Sequence, residues 1–315
     1  MDLLFGENVI LIAKVSEAAV NHSDEYASYA TVLAANGDDL ANEMRLAFGA
    51  TAAGDFATLW TAQNASFIDY AIGVVTHNQD MAGAAMTRLV SESAPSIDAL
   101  FTSLLHMRTG ALIERYRNQL TSVKQAIDDQ FGQHYKLAYE EIHNSYVMGT
   151  GLGDFLAPPI ASAFPDKFPG DMSTKSVTDR VVTNNLLQER VYLLTMASDS
   201  FVNGRPSEGQ QALAQLATNA GMIGRFKDAW AMEMADVMAY ATKGDDASRQ
   251  ALAQGFTDQL ASTANVPATL VADQASAMVK AIDDQRSKAN QSLAGDDRAA
   301  ATAMQPIADA ISSQG

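Results

Sequence analysis

The chain has 315 residues, 37 acidic against 21 basic side chains, a formal net charge of −16 and no cysteine. Such a surface repels nucleic acid and anionic membrane. The missing thiol excludes disulfides, thiolate nucleophiles, iron–sulfur clusters and thiolate zinc sites.

Abundant Ala, Leu, Gln and Met with few aromatics predict helix throughout. The first helix is expected over Leu3 to Val20, with Leu4, Leu11, Val15 and Ala18 on one stripe. Glu7 lies on that apolar stripe. A turn at Asn21 to Asp24 leads to a second helix ending near Phe48, with Gly49 after it. A third runs from about Ala53 to Thr76, and a fourth from the His77–Asp80 turn to about Glu92. Pro95 is expected to open a long fifth helix carrying Ile97 through Phe131. A sixth holds Tyr135 to Met148. The cluster Gly149, Gly151, Gly153, Pro158, Pro159, Pro165 and Pro169 reads as a helix terminator and linker. Gly149-Thr150-Gly151-Leu152-Gly153-Asp154 follows a helix and lacks the Gly-Lys-Ser/Thr ending of a phosphate loop.

The second half repeats the first. Leu4, Glu7, Val9, Leu11, Ser16, Val20 and Asn21 return as Leu186, Glu189, Val191, Leu193, Ser198, Val202 and Asn203, at a constant offset of 182. Leu33-Ala34-x-Asn36 is echoed by Leu216-Ala217-x-Asn219, and Phe56-x-x-x-Trp60 by Phe226-x-x-x-Trp230. Pro267 matches Pro95, and the last helix is expected over Asp296 to Ser313, with Pro306 inside it. No stretch reads as a strand. The expected architecture is all-α: two tandem, duplicated antiparallel helical bundles of about six helices each, residues 1–168 and 169–315.

Three short phrases resemble an uncharacterised family of secreted bacterial helical-bundle proteins. They are Glu7-Asn8 with Glu189-Arg190, Ala239 to Asp245, and Ala163-Phe164-Pro165-Asp166-Lys167-Phe168. The family has His after the first Glu, where this chain has Asn8 and Arg190. The resemblance implies export but carries no activity. The opening residues lack a basic region and a cleavage site. The expectation is therefore an extracytoplasmic protein whose signal has been removed, with a cytoplasmic home as the alternative.

Candidate chemistry is sparse. Glu140 and His143 have the Glu-x-x-His spacing that points a carboxylate and an imidazole into ferritin-like bundles, but the chain has a single such pair. A looser transition-metal site would gather Glu140, His143 and His106, with Met107 or Met148. Met232, Met234 and Met238 read as core filler rather than a copper box. Glu7 and Glu189 read as a recurring buried polar pair, each reaching a neighbouring helix, and alternatively as one ligand per half. Trp60 and Trp230 read as core anchors.

The leading expectation is a non-enzymatic binding or structural module without a cofactor. Its partner is a protein or a small ligand, or a second copy in a homodimer. Nucleic acid and a membrane span are not expected. The alternative is a metal-binding bundle with a single site in the first half, and a ferritin-type enzyme ranks third.

Overall fold

A computed structural model describes residues 1–314, and among them every regular element is helical. None of the described helices is long and apolar enough to cross a membrane. The chain divides into two compact units, Met1–Met172 and Ser173–Gly315, where the sequence placed the division at 168.

The first unit holds α1 (Asp2–Val20), α2 (Tyr26–Phe48), α3 (Ala50–Val75), α4 (Gln79–Thr87), α5 (Ala94–Leu104), α6 (Ile113–Phe131) and α7 (Tyr135–Ala163). A π-helical turn, Arg88–Ser93, joins α4 and α5 into one rod. The second unit holds α8 (Lys175–Val202), α9 (Pro206–Ile223), α10 (Lys227–Lys243), α11 (Asp246–Gln250), α12 (Phe256–Ala264), α13 (Ala268–Ser287) and α14 (Leu293–Ser312). There a π turn, Ala251–Gly255, joins α11 and α12.

Each unit is built around its first helix. α1 packs against α2, α3, α6 and α7, and every residue from Phe5 to Ala18 is buried. α8 packs against α9, α10, α13 and α14, and every residue from Leu187 to Ser200 is buried. Fully buried Ile10, Leu11, Leu193 and Leu194 each contribute about 1.5–3 kcal/mol of transfer free energy. A surrounded helix also carries its polar residues inside, so their atoms need partners on neighbouring helices. Both central helices end on a left-handed residue, His22 (φ 51°) and Gly204 (φ 72°), again at an offset of 182.

Three expectations give way to packing. The fifth helix does not run from Ile97 to Phe131. It stops at Leu104, because the buried Asp98 carboxylate accepts the Gly110 and Leu112 amides at 2.8 Å each and folds the chain back before α6. Pro95 does not open a new rod. The Ala94 amide donates to the Leu89 carbonyl, so the helix widens by one residue a turn early and absorbs the ring that lacks a donor.

Nor do the glycines after Met148 end a helix, since α7 continues to Ala163 through Pro158 and Pro159. Gly149 and Gly153 stand one turn apart on the face that meets α1. A Cβ at Gly149 would lie 3.0 Å from the Phe5 carbonyl oxygen, and one at Gly153 would overlap Asp2. Across the same seam, a Cβ at Gly6 would strike Tyr146 and Thr150. Close approach of backbones, not a turn, is what these glycines serve. Gly151 points away, with nothing within 4 Å of its Cβ position.

Two variants two residues apart should therefore move stability in opposite directions. In urea unfolding, Gly149→Ala is expected to destabilise the first unit by about 1–3 kcal/mol through overpacking. Gly151→Ala is expected to stabilise it by about 0.5–1 kcal/mol through helix propensity. Equal effects would contradict the seam.

Candidate functional site

The central helices are held by the same bonds in both units. In the first, the Asn36 amide on α2 donates to the Leu4 carbonyl at 2.9 Å and to Glu7 Oε2 at 2.8 Å. In the second, the Asn219 amide on α9 donates to the Leu186 carbonyl and to Glu189 Oε2, both at 2.9 Å. Glu7 and Glu189, read from sequence as a recurring polar pair, are thus tied to the neighbouring helix while buried. Gln130 on α6 donates to the Ala13 carbonyl, and Gln285 on α13 to the Thr195 carbonyl. Tyr70 donates to Asp128 at 2.6 Å, and Tyr240 donates to Asp283. The Asp and Gln of these bonds belong to a phrase written twice, Ala126-Ile127-Asp128-Asp129-Gln130 and Ala281-Ile282-Asp283-Asp284-Gln285.

Next to each glutamate the units diverge. Asn8 donates to Asn36 and Asn64, at 3.2 and 3.3 Å. At the matching place Arg190 is buried and forms a 2.6 Å ion pair with the buried Glu233. Its guanidinium lies 5.1 Å from the Trp230 ring centroid. Burial pushes the Glu233 carboxyl above its ordinary range, and Arg190 opposes that rise. Both tryptophans are buried, Trp60 among Phe5, Phe56 and Tyr116, and Trp230 against Phe256.

The metal candidates are dispersed. Glu140 is exposed and pairs with Lys136 at 3.6 Å, His143 is half-buried on the same helix, and His106 is exposed in the turn after α5. Among the described residues no group of three or more His, Asp or Glu side chains is placed to hold a metal, so these three are not brought together. Met232 is exposed and Met234 and Met238 are half-buried, so none of them is the buried core filler the sequence predicted.

Two clefts stand at corresponding points in the helix order. In the first unit a cleft of about 480 Å³ lies between the end of α3, α4 and α6. Tyr70, Val74, His77, Met86 and Phe131 form its walls, and among the described residues that line it Lys124 carries the single formal charge. Sequence reading placed His77 on the surface and did not single out the others. In the second unit a cleft of about 380 Å³ lies against α11, the π turn and α13, where Asp246, Arg249, Gln250 and Ser276 make it polar. No family model, curated protein or solved structure matches the chain.

At the start of α1 a further contrast carries a pH dependence. Asn184 and Arg180 on α8 both donate to Asp309 on α14, the guanidinium through two 2.7 Å bonds. In the first unit the residues at the matching offsets are two carboxyls, Asp2 on α1 and Asp154 on α7. Burial first, then the charge of Asp154, pushes the Asp2 carboxyl from 3.8 up to about 6, against the pull of the Met1 amine. A raised folded-state value means the fold holds this proton more tightly than the unfolded chain. The resulting stability is complete below about pH 4 and is lost as pH rises to about 6. Asp2→Asn keeps a donor toward Asp154 and removes the ionisation. In urea unfolding at pH 4 and pH 7, the variant is expected to gain about 1–2 kcal/mol on wild type over that interval. Parallel curves would contradict the pairing.

Proposed function

We propose that the chain is a non-enzymatic binding module, built from two helical units that descend from one duplicated bundle, and that its ligand sits in the cleft between α3, α4 and α6. The observation that carries this reading is a division of labour. Glu7, Glu189, Glu233 and Arg190 lie inside the helix packing, bonded to other helices. The largest of the clefts described has apolar and aromatic walls. Its volume falls in the roughly 300–1,000 Å³ range of small-molecule sites. Such walls hold a molecule by burial, and Tyr70 and Lys124 among them are already bonded to Asp128. Recurrence of the central-helix bonds, between the same residue types on helices in the same order, supports the shared ancestry. Resemblance to an exported family supports a home outside the cytoplasm.

A plugged cleft tests this. Gly83 lines the space, and a Cβ there meets nothing within 4 Å, so Gly83→Leu is expected to occupy the cleft and leave the helix intact. In a thermal-shift screen of a diverse small-molecule library, hits are expected to raise the wild-type midpoint by about 3–8 °C. They should leave Gly83→Leu unmoved and be recovered chemically unchanged. Hits that shift both proteins equally, hits that are consumed, or no hits would contradict the module.

A further inference from the structure

We infer that the cleft of the first unit takes an uncharged molecule with a flat ring system; this rests on the binding-module reading and names its ligand class. One side of the cleft is formed by the small residues Gly73, Ala82 and Gly83, where α3 and α4 meet closely. Gly73 on α3 backs directly onto α4, with its Cβ position 2.7 Å from the Ala82 amide nitrogen. Rings line the cleft as well. The His77 imidazole meets the Phe131 ring edge-on, with centroids 5.5 Å apart and planes at 74°. Tyr70 and the thioether of Met86 also line the space. Aromatic edges and faces, with a polarisable sulfur, favour a planar ring over a flexible chain.

Charge excludes the ionic alternatives. The Lys124 ammonium is bonded to Asp128 and lies 5.5 Å from the Tyr70 ring centroid, and Asp128 also accepts the Tyr70 hydroxyl. The one cation at the cleft therefore already has its counter-ion. Among the described residues no carboxylate lines the cleft, in a chain of net charge −16. An ionic ligand would lose hydration there and gain no opposite charge. The second unit shows that this character is not imposed by the fold, since its corresponding cleft is lined by Asp246 and Arg249. A glycine at position 83 keeps that side of the cleft small. Its helical backbone needs no glycine, and a Cβ at this lining position would meet nothing within 4 Å.

The full chain is titrated against N-phenyl-1-naphthylamine, a neutral aromatic probe, with binding read by its fluorescence. Saturable binding at one site is expected. Gly83→Leu should weaken it by about tenfold or more. Met86→Glu, which plants a charge in the cleft without filling it, should do the same, while Ser276→Leu in the other cleft should not. A neutral ring compound should displace the probe better than its carboxylate analogue or a straight-chain alcohol. Unchanged binding in both cleft variants, or tighter binding of the carboxylate, overturns the inference. If the neutral rings fail while library hits still depend on Gly83, the ligand class is wrong and the binding module stands. If neither binds, both fall.

Discussion

An asparagine amide spans two helices in each unit and joins a backbone carbonyl to a buried carboxylate, and the rest of the packing depends on that bridge. A central helix buried on every side leaves no water for its polar groups, so each needs a protein partner. Asn36 and Asn219 meet that need at Leu4 and Glu7 of α1 and at Leu186 and Glu189 of α8. A hydrogen bond to a charged group contributes about 1.5–3 kcal/mol, and leaving the acceptor unpaired costs more than the bond is worth. The bridge also fixes register. Sliding α2 along α1 by one turn would separate the amide from both acceptors, while the apolar contacts alone tolerate such a shift.

Around this common bridge the two units have different interiors. The first surrounds it with amides, Asn8 and Asn64, and an aromatic cluster on Trp60. The second places a buried Arg190–Glu233 ion pair at the same level, with Trp230 against the guanidinium. A buried pair of this kind offsets its own desolvation at best, and removing one partner typically costs about 3–5 kcal/mol. It therefore specifies an arrangement more than it stabilises one. The same divergence reaches the surface, where one cleft is apolar and the other polar. Two similarly bonded units with unlike clefts are what the proposed division between holding the fold and holding a ligand requires.

Much of the scaffold was legible in the sequence, because the bonds that hold it involve side chains in short phrases written in both halves. Glu7 and Glu189 stood out as carboxylates on an apolar stripe, and Leu-Ala-x-Asn appeared in both halves with the residue that bonds them. The verbatim Ala-Ile-Asp-Asp-Gln phrase, which supplies Asp128, Gln130, Asp283 and Gln285, was an equally plain signal that went unused. What misled was local chemistry read without its neighbours. Glycines at 149 and 153 look like a helix end until α1 lies against them, and Pro95 looks like a helix start until a π turn accommodates it. The cleft was not legible at all. Gly73, Met86, Lys124 and Phe131 come from three helices, and no spacing along the chain brings them together.

The most direct test is a double-mutant cycle on the bridge, with Glu7→Ala, Asn36→Ala and the double variant compared by urea unfolding of the full chain. The account predicts a coupling energy of about 1–3 kcal/mol between the two sites, with the double variant less destabilised than the sum of the singles. Strict additivity within error would mean that the two side chains do not act together, and would contradict the bridge as the organising interaction of the fold.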